Sequence, residues 1–471
     1  MRARNFIVAL LLFSWLPVAA AADWQTCHLD GYRDALRCTR VAVPRDYADP
    51  AAGEIEIHVA VAPAVRARAE PDPLFVLAGG PGQAGSDVVS LLDSAFAKVR
   101  ANRDIVFVDQ RGTGRSGHLG CDIGDDALVL GDSEVHAKML ACLRGFGTSL
   151  LAYTTDAAAQ DLERVRTALG AATVNLWGGS YGSRLAQAYA TRYPAQVRSL
   201  ILDGVVDADL IIGAGSGNFE TALDALLARC TGDAACQQAF PDLRQQLQTV
   251  LARLDAGAVT QTLPHPRGGA PLTVPVSRQR LLGMIKYLLY SPAGSAQLPY
   301  LIARAAADDW RPLLAMQANG VDLAAVPLAF GLLTNIGCRE DWPRLDAAGR
   351  AQQIAAPTFG TDLAAFDALC RDLALPPLPL AAAGDLDAPG LLLSGALDPV
   401  TPPALAERVL RRLPHGQHLV AAKAGHIVSG QGCAPKLLRR FLDAPTQPLD
   451  GACLAEIALP PFQTSAAGTA P

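Results

Sequence analysis

The stretch Val174-Asn-Leu-Trp-Gly-Gly-Ser-Tyr-Gly182 constrains what this chain can fold into more than any other. A short apolar run ends in Gly178-Gly179-Ser180-Tyr181-Gly182, and a helical pattern from Ser183 to Arg192 follows with no linker between. The succession reads as a strand, a sharp turn and a helix. Gly-x-Ser-x-Gly in that setting is a nucleophile elbow: the serine sits at strained backbone angles, and small residues two positions to either side let strand and helix approach. The strain lifts Ser180 Oγ above the sheet edge, where a base on another loop can reach it. A serine that merely caps the following helix is the plainer alternative.

Around the elbow the apolar pattern alternates between strand and helix. Gly53 to Ala62 alternates apolar and polar residues before turning apolar, as an edge strand entering a sheet would. Pro73-Leu-Phe-Val-Leu-Ala78 and Asp104-Ile-Val-Phe-Val-Asp109 have the wholly apolar look of parallel strands buried on both faces. A helical pattern from Ala157 to Leu169 precedes the elbow, and the strand Arg198 to Asp203 comes after its helix. This rhythm predicts an α/β fold with a mostly parallel, doubly wound sheet, whose site lies at the carboxyl ends of the strands. From 207 to 384 helical patterns dominate, and an apolar strand, Gly390 to Ser394, then resumes the earlier rhythm. We therefore expect a discontinuous core of residues 23–206 and 385–462, a mostly helical cap over 207–384, a Pro/Gly-rich break from Pro264 to Pro275, and a small, polar, disordered tail over 463–471.

Residues 1–22 read as a secretory signal, with Arg2 and Arg4 ahead of the apolar run Phe6 to Leu16 and the small residues Ala19 to Ala22. The expected product is an exported protein, periplasmic or extracellular, with no membrane association after cleavage. The whole chain has 40 Lys and Arg against 45 Asp and Glu, a net charge of −5, and no basic cluster that would suit nucleic acid or anionic lipid. An apolar content of 50% is ample for a large core. Ten cysteines suit an oxidising compartment, and they fall as sequence neighbours: Cys27 and Cys38, Cys121 and Cys142, Cys230 and Cys236, Cys338 and Cys370, Cys433 and Cys453. Ten thiols allow about 945 pairings, and nearest-neighbour pairing is the expectation. With no Cys-x-x-Cys or His-x-x-x-His, no metal site is expected.

A serine hydroxyl needs an adjacent base, itself oriented by a third group. In a sheet of this type the order along the chain is Ser, acid, His. Among the late histidines His415 precedes the last strand and His418 begins it, whereas His426 follows it at the carboxyl end, so His426 is the candidate base. Asp398, just past the strand Leu391 to Ser394 in a Pro-rich loop, is the candidate acid, and Asp203 is its rival. Backbone N–H groups for an oxyanion are expected from Tyr181, after the nucleophile, and from Gly80 in Gly79-Gly80-Pro81-Gly82, since Pro81 has none. Gly112-Thr-Gly114-Arg-Ser-Gly117 fits a dinucleotide fingerprint, but Asp-Gln-Arg separates it from its strand and no convincing helix follows. We expect Arg111 and Arg115 to fix that loop through hydrogen bonds instead.

Gly79-Gly-Pro-Gly82, Asp109-Gln-Arg-Gly-Thr-Gly-Arg-Ser116, Asp161-Leu-Glu-Arg-Val-Arg166, Gly178-Gly-Ser-Tyr-Gly182, Leu202-Asp-Gly-Val205, Asp398-Pro-Val-Thr-Pro402 and Gly425-His426, in that order, resemble the prolyl and tripeptidyl aminopeptidase family of α/β-hydrolase serine peptidases. Cys433 and Cys453 look like the cysteine pair of a tripeptidyl-aminopeptidase-like C-terminal region. The resemblance implies an exported exopeptidase acting near the free N-terminus of short peptides, with Ser180, Asp398 and His426 as its triad and no cofactor. It also implies cap acids facing the substrate ammonium, for which Glu340 and Asp341 are the candidates; a solvated or Arg-paired acidic pair is the alternative reading. An esterase using the same triad, and a noncatalytic binding protein of this fold, are the other functional readings.

Overall fold

The structure is a computed structural model that describes residues 23–123, 128–264, 268–316, 328–380 and 383–469; the expected signal segment 1–22 lies outside the described residues. The fold is built on a nine-stranded sheet of β1 (Gln25–Cys27), β2 (Leu36–Pro44), β3 (Glu54–Ala62), β4 (Leu74–Leu77), β5 (Ile105–Val108), β6 (Val174–Gly179), β7 (Val197–Asp203), β10 (Gly390–Gly395) and β11 (Gly416–Ala421). Their spatial order is β1-β2-β3-β5-β4-β6-β7-β10-β11. From β5 to β11 every neighbouring pair is parallel.

The wholly apolar runs Leu-Phe-Val-Leu of β4 and Ile-Val-Phe-Val of β5 are buried at every position, as strands covered on both faces require. β3 is not an edge strand. It pairs antiparallel with β2 on one side and, through Val59 to Ala62, with β5 on the other; its alternating half, with Glu54 and Glu56 exposed, pairs with β2. The edge belongs to β1, which Cys27–Cys38 fastens to β2.

β6 lies between β4 and β7, with Leu77 opposite Gly178 and Gly179 opposite Asp203. That register brings the turns after Leu77, Gly179 and Asp203 to one end of the sheet. β10 and β11 run parallel to them, so their following loops open at the same end. The helix Tyr181–Arg192 packs back on the sheet through Leu185, Ala186 and Tyr189, all essentially inaccessible, each large side chain contributing about 1.5–3 kcal/mol of burial.

Between β7 and β10 the chain forms the helices Ser216–Gly232, Leu243–Asp255, Arg278–Leu289, Leu298–Ala306 and Gly360–Leu373, among others, and a hairpin of β8 (Val259–Leu263) with β9 (Leu272–Val276). This region has its own apolar core, including Leu226, Leu247, Ile285, Leu301 and Trp310. The Pro/Gly-rich break is thus partly strand: Thr273-Val-Pro275 belongs to β9, with Pro275 opposite Thr260 near the hairpin's end.

The tail departs from its expected disorder. β12 (Gln463–Ser465) turns back on β13 (Gly468–Thr469), Gln463 N donates to Ala296 O at 2.9 Å, and Phe462 is buried in the cap core. One aromatic anchor and a backbone bond outweigh the polar, small-residue composition. All five disulfides join the nearest-neighbour pairs: Cys27–Cys38, Cys121–Cys142, Cys230–Cys236, Cys338–Cys370 and Cys433–Cys453. Among the described residues no helix is long and apolar enough to cross a membrane.

Candidate active site

Ser180 stands between β6 and its helix at φ 55°, ψ −124°, a conformation that L-residues rarely adopt. Its N–H donates to Asp203 O at 2.8 Å, which ties the turn to the neighbouring strand. The glycines on either side are a steric necessity. A Cβ on Gly178 would lie 2.3 Å from Gly182 O, and one on Gly182 would lie 2.0 Å from Leu77 O. Tyr181 opens the helix, so its N–H is among the first four, which have no intrahelical acceptor.

The Gly79–Gly82 loop runs directly beside the serine: a Cβ on Gly79 would sit 3.0 Å from Ser180 Cβ. Gly80 has φ 104° and precedes a cis peptide bond to Pro81. The cap reaches this loop through Ala329, whose N–H donates to Gly82 O at 2.9 Å. Gly80 and Tyr181 thus follow two neighbouring strands, β4 and β6, at the end of the sheet that carries Ser180.

His426 and Asp398 meet although they come from different loops. His426 Nδ1 and Asp398 Oδ2 are 2.8 Å apart, with both side chains buried. Asp398 Oδ1 accepts from Val400 N and Thr401 N at 2.8 and 2.9 Å, while Thr401 Oγ1 donates to Oδ2 at 2.6 Å. The carboxylate is thus directed by its own Pro-rich turn. Burial alone would raise the Asp398 pKa, but the imidazole and the Thr401 bonds hold it below the ordinary carboxylate range. Burial likewise works to lower His426; the charge and hydrogen bond of Asp398, with the charge of Asp203, outweigh it and raise the imidazole above its usual value. With Nδ1–H donated to Asp398, Nε2 is the nitrogen left to accept a proton.

Two residues at this site are not indicated by the sequence reading, and a third has a role other than the one weighed for it. Thr401 lies three positions after Asp398, the spacing of a local side-chain turn, and that was a usable signal. Tyr290, at the end of a cap helix, accepts from His426 N at 2.7 Å, and its ring meets the imidazole edge-on at 5.2 Å between centres; nothing local announces this. Asp203 was weighed only as a rival acid. Its carboxylate instead accepts from Val428 N at 2.9 and 3.0 Å and from Ser429 N at 2.7 Å, just beyond the histidine. Between His426 and those two amides lies Ile427 at φ 69°, a conformation costly for a β-branched side chain. Trp177 Nε1 donates to Ser429 Oγ at 2.9 Å and closes the clamp.

The role expected of Glu340 and Asp341 does not survive. Both are buried, at 2% and 0% exposure, in a π-helical turn, Gly337–Asp341. Glu340 accepts from Thr155 N at 2.8 Å and from Thr155 Oγ1 at 2.5 Å, and Thr155 Oγ1 also contacts Tyr181 OH at 2.9 Å. Asp341 takes Arg184 Nη1 on both oxygens at 2.9 Å, Ile212 N at 3.0 Å and Arg344 at 3.3 Å. Donors of this chain already occupy these carboxylates. They fasten the cap to the core instead of facing an ammonium, which is the Arg-paired alternative.

The glycine-rich Gly112–Gly117 loop is likewise structural. Asp109 accepts from Ser86 N and Arg115 N at 2.8 and 2.9 Å, and Arg111 reaches Asp161 at 2.7 and 2.6 Å and the carbonyls of Pro44, Arg45 and Ala152. Arg115 donates to His28 O. No group of three or more potential metal ligands occurs among the described residues.

A parallel sheet bearing a strained serine after one strand, with an aspartate–histidine pair after two later ones, defines an α/β-hydrolase. Family comparison agrees: residues 72–260 match the model of the alpha/beta hydrolase fold. The fold is thus that of the α/β-hydrolases, and residues 356–453 match the model of the TAP-like protein.

Among curated proteins it is 29% identical over 208 residues to a tripeptidyl aminopeptidase of Streptomyces coelicolor, covering 40% of this chain and 38% of that protein. It is 30% identical over 224 residues to the serine protease Hip1 of Mycobacterium tuberculosis, 42% of each chain, and 33% identical over 138 residues to a proline iminopeptidase of Xylella fastidiosa, 28% of this chain and 32% of that one. The matched segments span about two fifths or less of the length of these relatives.

Proposed function

We propose that this protein is an exported serine exopeptidase that hydrolyses peptide bonds near the free N-terminus of short peptides. The observation that carries the reading is the Asp398–His426 pair at 2.8 Å, held at the same end of the sheet as a serine in a strained elbow. The peptidase names of the relatives support the substrate class, and five disulfides support an oxidising compartment.

In the reaction, His426 Nε2 takes the proton of Ser180 Oγ as that oxygen attacks the scissile carbonyl. The oxyanion of the tetrahedral intermediate receives the N–H groups of Gly80 and Tyr181. His426 then gives its proton to the leaving amine, which departs as the new N-terminus of the shortened peptide. Water attacks the acyl-enzyme with His426 again as base, and a free carboxylate leaves. Asp398 holds the imidazole tautomer and stabilises the imidazolium throughout, without taking the proton.

The test is turnover of aminoacyl- and tripeptidyl-anilides beside short-chain esters, with fluorophosphonate labelling of the serine. Ser180→Ala should abolish labelling and lower kcat by about 10⁵- to 10⁶-fold. Turnover of esters alone would replace the peptidase reading with an esterase one. Absence of labelling in the unsubstituted protein would favour a noncatalytic binding protein.

A further inference from the structure

Two carboxylates of the core hold His426 and its loop, and one residue of the cap holds it as well. Asp398 bonds Nδ1, and Asp203 takes the amides of Val428 and Ser429 just beyond the strained Ile427. Gly204 lets the core backbone close on the ring itself, since a Cβ there would lie 2.9 Å from His426 Cε1. The cap contributes Tyr290, whose carbonyl accepts from His426 N at 2.7 Å.

That carbonyl is made available by the local sequence. The helix Arg278–Leu289 ends at Tyr290, where the last carbonyls lose their intrahelical donors. Pro292 has no N–H, and the amide of Gly294, which would continue the helix onto Tyr290 O, donates to Ser291 Oγ at 3.0 Å. The corner itself is well fixed: Ser291 O accepts from Ser295 N at 2.9 Å and from Ser295 Oγ at 2.8 Å, and Leu288 and Leu289 are buried in the cap core. Its fit against the histidine loop leaves no room for a side chain. A Cβ on Gly425 would lie 2.3 Å from Tyr290 O and 3.2 Å from Pro292 Cδ. The Tyr290 ring meets the imidazole at 5.2 Å between centres and 81° between planes, and Phe219 and Tyr287 pack beside it at 6.4 Å each.

We propose that Tyr290 is a positioning residue for the catalytic base, its carbonyl fixing the His426 backbone and its ring fixing the imidazole. The inference rests on the reading of His426 as the base. Asp398 bonds a single ring nitrogen, and one such bond leaves the imidazole free to swing about it. The edge-on tyrosine removes that freedom, and the bond from His426 N to the Tyr290 carbonyl sets where the swing would start. A misplacement of about 1 Å is enough to cost roughly 100-fold in rate. Seating of the cap on the core and placement of the base therefore share one contact.

The experiment measures how fast a fluorophosphonate labels Ser180 in the full chain. Ser180 Oγ displaces fluoride from phosphorus and gives its proton to His426, so the rate reads the base whether the natural substrate is a peptide or an ester. Tyr290→Ala should lower the maximal labelling rate by about 10- to 100-fold and leave the half-saturating reagent concentration unchanged. Tyr290→Phe, which keeps the ring and the carbonyl, should recover most of that rate, and a denaturation midpoint for each variant separates lost fold from lost positioning. An unchanged maximal rate in Tyr290→Ala, a loss confined to the half-saturating concentration, or an equal loss in Tyr290→Phe would overturn the proposal. If Tyr290→Ala does not fold, Gly425→Ala decides instead, because its methyl pushes the loop off the Tyr290 carbonyl: a lower maximal rate supports the positioning role and an unchanged one removes it. The two readings fail separately. Labelling of His426→Ala at the unsubstituted rate removes His426 as the base and the proposal with it. Slow labelling of His426→Ala beside fast labelling of Tyr290→Ala removes the positioning role alone.

Discussion

At the scale of single residues, His426, the proposed base, is governed by two carboxylates with different jobs. Asp398 touches the His426 ring, whereas Asp203 grips the two amides after Ile427 and acts on the ring through charge. Catalysis needs neutral His426, so kcat/KM should rise with pH through a midpoint above the ordinary histidine value of about 6.5. In Asp203→Asn that midpoint should move to lower pH, because a negative charge that favours the imidazolium is gone. The loosened loop should also lower kcat by about 10- to 100-fold with little change in KM. A pH–rate profile beside initial-rate kinetics reads both effects, and a fall in rate without any shift of the midpoint would leave Asp203 a purely structural role. The pairing of Asp398 with His426 was legible from their order after the serine. Asp203 was visible as a residue but not in its role, since its partners lie on a loop far along the chain.

At the scale of elements, the elbow depends on approach distances that only glycine permits. A methyl group at position 182 would be driven into the carbonyl of Leu77, and both groups belong to backbone that the sheet and the helix hold. Gly182→Ala should therefore cost on the order of 3 kcal/mol or more, seen as a lower urea midpoint at unchanged slope, together with loss of serine labelling. The Gly-x-Ser-x-Gly spacing announced this turn because its requirement is local. The position of β3 was less legible: its alternation suits a strand with one covered face, and pattern alone does not say that β2 pairs along it. The order of the tail is hidden from the sequence for a related reason. Its composition is that of disorder, and the contacts that order it, Phe462 in the cap core and Gln463 on Ala296, are long-range.

At the scale of the whole molecule, cap and core are joined by buried charges, and each part carries its own disulfides. Glu340 and Asp341 reach Thr155 and Arg184, while Cys338–Cys370 fastens their turn to the helix Gly360–Leu373. That bridge closes a loop of 32 residues. Replacing both cysteines by alanine should cost about 3–4 kcal/mol on the chain-entropy account, and should lower the midpoint of chemical denaturation. Because Thr155 also contacts the Tyr181 hydroxyl, loosening the turn should lower turnover before the protein unfolds. Measuring both along one denaturant series checks that order, and simultaneous loss would place no special role in the turn.

Requirements that are local, or periodic along the chain, were determined by the sequence itself: the parallel strands, the elbow at Ser180, the order of acid and base, and the neighbouring cysteine pairs. Each follows from side-chain period, backbone sterics or spacing within one or two elements. Tertiary structure alone decided what the charged residues of the cap do. An acid near a binding cleft and an acid sealed into a joint have the same sequence signature, and only packing shows that Glu340 and Asp341 already hold their donors. The same is true of the opening elbow: only the sheet brings the loops that carry Asp398 and His426 to the end where Ser180 stands.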